Sequence, residues 1–162
     1  MRLFIFSVFF IAVFLHANAG VANNFDRKNF YKILKSGTLD DIDSEITLIQ
    51  SSGMPDKDAF EGALLMKKAG LITVAKQKLQ FFKSGRIKLE TAISTDSVNV
   101  EYRFMRLVIQ EHAPKVVKYQ ARIQTDAAFI TEHFKIASPE LQKIIIDYSK
   151  NSKTLQGKEL EP

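Results

Sequence analysis

The chain has 162 residues, 46% of them hydrophobic and 25% charged, with a formal charge of +5 and an isoelectric point near 9.4. It has no cysteine, which excludes a disulfide framework, a thiol nucleophile and lipid attachment through a cysteine. The charge excess is mild and scattered as solvated helix faces would scatter it, and it lacks the aromatic–basic interleave of a nucleic-acid surface.

Residues 1–19 read as a secretory signal peptide. Arg2 precedes an uncharged run from Leu3 to Leu15, apolar but for Ser7, and His16-Ala17-Asn18-Ala19 supplies the small-residue A-x-A exit. At ~1.5 Å per residue in a helix, that run falls well short of the ~30 Å hydrocarbon core, so it suits a cleaved leader better than a membrane anchor. Cleavage after Ala19 gives a mature chain starting at Gly20, with 22 basic against 18 acidic residues. At 143 residues the mature chain is long enough for one domain without disulfides, since a chain near 150 buries about 70% of its unfolded surface. Residues 20–150 are expected to form that domain in the bacterial periplasm or outside the cell. No transmembrane helix is expected after cleavage.

Downstream, glycines punctuate the first half. Ser36-Gly37, Ser52-Gly53, Ala69-Gly70 and Ser84-Gly85 are separated by 16, 17 and 15 residues, each interval one helix plus a turn. Glycine just past a helix end closes it in the left-handed conformation. Alternate intervals of 33 and 32 residues approach the period of tetratricopeptide helix hairpins. The intervening segments carry helical periodicity. The first holds Phe30, Ile33 and Leu34. The second opens on a capping-box-like pair, Thr38 and Asp41, and continues with Leu39, Ile42, Ile46 and Ile49. The third begins near Pro55-Asp56 and carries Phe60, Ala63 and Leu64. The fourth has the stripe Leu71, Ala75, Leu79 and Phe82, and a short fifth runs from Arg86 to about Ile93.

The sixth segment, from Val98 to about His112, is the longest clear one, and Pro114 follows it. The pattern weakens from Lys115 to Gln124, where Lys115-Val116-Val117-Lys118-Tyr119 suits a short strand or a short helix equally. Thr125-Asp126 starts a helix with Phe129, Ile130 and Phe134. The last helix opens on Ser138 as N-cap with Pro139 in its first turn, and its stripe is Leu141, Ile144, Ile145 and Tyr148. Residues 151–162 are polar and expected to fray. The fold class is all-α, made of antiparallel helix pairs in either a compact bundle or a short tetratricopeptide-like superhelix.

Known catalytic signatures are missing: there is no G-x-S-x-G, no glycine-rich phosphate loop and no H-E-x-x-H. His112 and His133 are too far apart in sequence to suggest a metal site, and His133 borders the core on the helical wheel. The acidic run Asp40 to Glu45 lacks the central glycine of a calcium loop and reads as a first helical turn favoured by the dipole. No metal or cofactor is expected.

The sixth segment holds the candidate site. At about 100° per residue, Asn99, Arg103, Arg106 and Gln110 form a narrow polar stripe, while Glu101 falls in the apolar arc between Val108 and Met105. A carboxylate on a buried arc needs a partner. Arg86 or the Tyr119 hydroxyl are the candidates. Two readings stand: a structural ion pair that fixes helix register, or a pocket in which Glu101, Arg103 and Arg106 hold a polar ligand, with arginine's planar fork suited to carboxylate or phosphate.

The residues Val100-Glu101-Tyr102-Arg103-Phe104-Met105-Arg106-Leu107, the following Gln110-Glu111-His112-Ala113-Pro114, Ser138-Pro139-Glu140-Leu141 and Gly62 to Ala69 together resemble a family of short exported bacterial all-helical proteins. The similarity spans about residues 55 to 150. The resemblance implies an exported compartment and a helical fold, and it assigns no site.

These features together point to an exported helical module that binds another envelope protein or a peptide through a groove between helices. The alternatives are a small polar-ligand binder or enzyme centred on Glu101 with Arg103 and Arg106, and a peripheral binder of an anionic envelope surface, whose contact would weaken with salt.

Overall fold

The computed structural model describes residues 25–158 and Leu160; the leader expected at residues 1–19 lies outside them. Seven α-helices follow in order: α1 (Arg27–Ser36), α2 (Leu39–Ser51), α3 (Lys57–Leu71), α4 (Ala75–Thr95), α5 (Val100–His112), α6 (Ile123–Glu132) and α7 (Pro139–Ser149). Three short 3-10 turns, Lys115–Val117, Gln120–Arg122 and Phe134–Ile136, link the later helices, and no strand occurs among the described residues. The architecture is an all-α bundle.

Local chemistry starts several helices where the sequence indicates. The Thr38 hydroxyl accepts from the Asp41 amide at 3.2 Å while the Asp41 carboxylate accepts from the Thr38 amide at 2.9 Å, closing the capping box of α2. Asn99 caps α5 through the Tyr102 amide at 3.2 Å, and Ser138 caps α7 through the Leu141 amide at 3.2 Å ahead of Pro139. The Thr125-Asp126 start does not form. α6 begins earlier, at Ile123, without a side-chain cap, because the Asp126 carboxylate is drawn inward to a buried arginine.

The glycines depart from expectation in an instructive way. Neither Gly37, Gly53, Gly70 nor Gly85 takes a left-handed conformation; among the described residues only Lys118 (φ 49°) and Gly157 (φ 76°) do. Gly70 lies within the last turn of α3 and Gly85 in the middle of α4, so the expected fourth and fifth helices are one helix of 21 residues. The reason is packing. α3 and α4 form the most extensive helix pair of the fold, joined by a three-residue connection, and they cross where Gly62 meets Gly85. A Cβ on Gly62 would stand 2.7 Å from the Gly85 carbonyl oxygen, and one on Gly85 would stand 2.5 Å from the Gly62 carbonyl oxygen. Glycine is needed there for close approach of two backbones.

α5 runs through the centre: every residue from Val100 to Gln110 is buried except half-buried Arg103. Around it sit fully buried Phe30, Phe60, Leu64, Ile130 and Ile145. Each such side chain contributes about 1.5–3 kcal/mol by leaving water. Phe60 packs edge-on to Phe25 and Phe30 at 4.8 and 5.0 Å between centroids, a favoured geometry.

Residues 151–158, expected to fray, are fastened to α5. The Glu111 carboxylate accepts from the Tyr148 hydroxyl at 2.6 Å, the Ser152 hydroxyl at 2.7 Å, the Thr154 amide at 2.9 Å and the Thr154 hydroxyl. Burial pushes the Glu111 pKa up, but these donors outweigh it and hold it below the ordinary glutamate value. Ser152 and Leu155 are buried as a result.

Candidate functional site

α1 and α4 both pack on α3 but pack little on each other, and between them lies an open groove with a volume of about 1390 Å³. Its floor is buried and apolar: Leu34 of α1, Met66 of α3, and Phe104, Val108 and Ile109 of α5. Ile144 and Tyr148 of α7 continue it. Its lips are apolar as well. Leu71 is 41% exposed, Leu79 66% and Val116 84%. The stripe Leu71, Ala75, Leu79 and Phe82, which its periodicity assigns to the core, lines this groove instead. The first turns of α4, Ala75 to Gln80, are exposed on every side. An amphipathic helix that leaves its apolar face open has unspent binding surface.

The rim is cationic. Eight lysines and arginines line the groove against one carboxylate, Asp147, which already faces Lys150 at 3.2 Å. On α1, Lys28, Lys32 and Lys35 are spaced four and three apart, so they project side by side and repel one another. On α4, Lys83 and Arg86 are three apart and neighbours, while Lys78 stands about two turns before Arg86. Lys67 sits deeper, donating to the Lys35 carbonyl oxygen at 3.0 Å, and burial lowers its pKa. Arg86 lays its guanidinium over the Tyr119 ring at 5.2 Å, which holds it at the groove edge. The spacing of Lys28, Lys32 and Lys35 on one helical face was the sequence signal for this rim, and counting the cations as scattered overlooks it.

The three residues singled out on α5 do not form one pocket. Glu101 accepts from the Arg27 Nε at 3.0 Å to Oε1 and 3.2 Å to Oε2, with the Tyr31 hydroxyl 3.5 Å away. Its partner is therefore α1, and neither Arg86 nor Tyr119. Burial raises the Glu101 pKa, and Arg27 opposes the rise in part. Arg103 and Arg106 come together elsewhere, on Asp126. Arg106 grips it bidentately, Nε to Oδ2 and Nη2 to Oδ1, both at 2.7 Å, and donates through Nη1 to Glu90 at 2.7 Å. Arg103 donates to Asp126 at 3.3 Å and to the Ser97 carbonyl at 2.9 Å, with its guanidinium 4.7 Å from the Phe129 ring centre. The Tyr119 hydroxyl completes the cluster, donating to Glu90 at 2.7 Å. Burial works to lower the Arg106 pKa, but the hydrogen bonds and charges of Asp126 and Glu90 override it and the net shift is upward.

This arrangement ties α4, α5 and α6 together and spends the arginine forks on the protein's own carboxylates. His112 and His133 each turn their Nδ1 to a carbonyl one helical turn back, at 2.8 and 3.0 Å. Among the described residues, no three histidine, aspartate or glutamate side chains converge to hold a metal ion, and no helix is long and apolar enough to cross a membrane.

No family model, curated protein or solved structure matches the chain. The groove and its rim are therefore the features on which function must be argued.

Proposed function

We propose that this chain is an exported binding module that captures a segment of another envelope protein or a peptide in the groove between α1 and α4. The observation that carries this reading is the open stripe Leu71–Ala75–Leu79–Phe82 above a floor that includes Phe104 and Ile109. Small-ligand pockets are usually about 300–1,000 Å³ and largely enclosed; at about 1390 Å³ and open along its length, this groove has the dimensions of a bed for a peptide segment. Peptide capture by a helical groove uses apolar anchors within a polar rim, the arrangement found here. The small-ligand alternative has less support, because Arg103 and Arg106 are already paired and Glu101 lies apart from them. The leader-like residues 1–19 support the compartment.

The test is selection of helical peptides from a displayed library against the purified protein, repeated on Leu79→Asp/Val116→Asp. Both residues are exposed, so the variant is expected to keep its melting temperature. Selected peptides are expected to carry apolar residues at helical spacing and to bind the variant at least about tenfold more weakly, as desolvated anchors predict. Equal affinity for the variant would remove the groove from the function. For export, intact mass of the protein recovered outside the cytoplasm should show Gly20 as first residue; an unprocessed Met1 would contradict it.

A further inference from the structure

We infer that the occupant of the groove is an acidic amphipathic helix of a partner polypeptide. This rests on the groove reading above and adds the chemistry of what fills it. The decisive feature is how the positive charge is distributed. Lys28, Lys32 and Lys35 spread over about 10 Å of α1, and Lys78, Lys83 and Arg86 over about 12 Å of α4, at ~1.5 Å per residue. Among the described residues, none of these six has a carboxylate within 4.0 Å, whereas Lys68, Lys88, Arg103 and Arg106 elsewhere in the fold do. Two lines of unpaired cations thus flank an apolar bed on helices that pack little on each other.

A lipid carries its anionic charge at one end, so its headgroup would meet a few of these cations and leave the others facing acyl chains. A flat anionic membrane would reach the lips but not the buried floor at Met66 and Phe104. A helix with apolar residues at i, i+3, i+4 and i+7 and glutamates on both sides of that stripe satisfies both features together. Its apolar ridge seats against Leu79, Phe82 and the floor, and its carboxylates run alongside both cation lines. Rim pairs of this kind are solvent-exposed, so they act through partner choice and encounter rate and are screened by salt.

The experiment compares three fluorescein-labelled 18-residue peptides with one leucine stripe at helical spacing and, at the flanking positions, glutamate, glutamine or lysine. The glutamate peptide is expected to bind at least about tenfold more tightly than the glutamine peptide, and the lysine peptide not measurably. Raising NaCl from about 0.05 to 0.5 M should cost the glutamate peptide about tenfold or more. The variant Lys32→Glu/Lys83→Glu, altered at two exposed and unpaired positions, should bind the glutamate peptide several-fold more weakly and narrow its lead over the glutamine peptide, since the rim keeps six cations but gains two carboxylates. Glutamate and glutamine peptides bound equally, without salt dependence, would overturn the acidic occupant while leaving the groove reading intact. Failure of all three to bind would overturn both. Displacement of the glutamate peptide by phosphatidylglycerol vesicles with no weakening of that peptide in the variant would make the occupant a lipid. Self-association that the glutamate peptide dissolves would make it a second copy of the chain. Either result would overturn the inference.

Discussion

Asp126→Ala is expected to lower unfolding free energy by about 3–5 kcal/mol, the cost of leaving a buried charge without its partner. Asp126 is fully buried, and Arg106, which grips it through two 2.7 Å hydrogen bonds, is 4% exposed. Alanine removes both acceptors and leaves Arg106 dependent on Glu90, which faces solvent in part and also accepts from Tyr119. The penalty belongs to the broken pair and does not measure what the pair contributes. Replacing the whole pair, as Arg106→Met/Asp126→Leu, should therefore recover much of the loss, because well-packed apolar residues often substitute for a buried ion pair without cost. Denaturant midpoints of wild type, single and double variants decide the matter. A single variant within 1 kcal/mol of wild type would show that water enters the cluster and that Arg106 is not held in a dry site. Peptide binding should survive in any folded member of the set, since the cluster does not line the groove.

The second large effect is expected at the helix crossing. Gly85→Ala places a methyl group 2.5 Å from the Gly62 carbonyl oxygen and 2.9 Å from the Leu65 Cβ. Backbone cannot swing aside as a flexible side-chain end can, so α3 and α4 must move apart. Overpacking of this kind costs about 1–3 kcal/mol, against a gain in helix propensity of about 1 kcal/mol. Net destabilisation of up to about 2 kcal/mol is expected. Gly70→Ala is the internal control. It lies in the last turn of α3 with no atom within 4 Å of the added methyl, so only the propensity gain remains and stability should rise by up to about 1 kcal/mol. Thermal and denaturant unfolding of the two variants should move in opposite directions. If both stabilise, the crossing is looser than the backbone contact implies.

Those glycines also show where sequence reading succeeds and where it stops. Periodicity located the helices and the core residues Phe30, Ile42, Phe60, Leu64 and Ile145, because a buried stripe leaves a 3.6-residue signature whatever it packs on. Capping at Thr38 and Ser138 was legible for a similar reason: the hydrogen bonds are made within four residues. Gly85 was misread as a stop, since a glycine required by a neighbouring helix and a glycine required by a turn look alike in one dimension. The attachment of residues 151–158 is not legible locally, because their anchor, Glu111, lies 41 residues before Ser152.

The candidate site suffered from the same limit. Glu101 could be recognised as a carboxylate needing a partner, but the choice of Arg27 depends on how α1 docks. Local pattern marked Leu71, Ala75, Leu79 and Phe82 as an apolar face and could not say that the face would stay uncovered.

The contributors to the groove also bear on the order of its assembly. Its walls come from α1 and α4, its floor from α1, α3 and α5, and one end from α7. The α3–α4 hairpin closes through a three-residue connection, so its contacts are local and the loop entropy spent on them is small. Docking of α1 against α7 joins segments about a hundred residues apart, the costliest closure in the bundle. A chain synthesised amino end first presents the apolar face of α4 long before α7 emerges to complete the groove. The window between those two moments is when the nascent chain most needs shielding, and a finished groove then reports that the last helix has arrived.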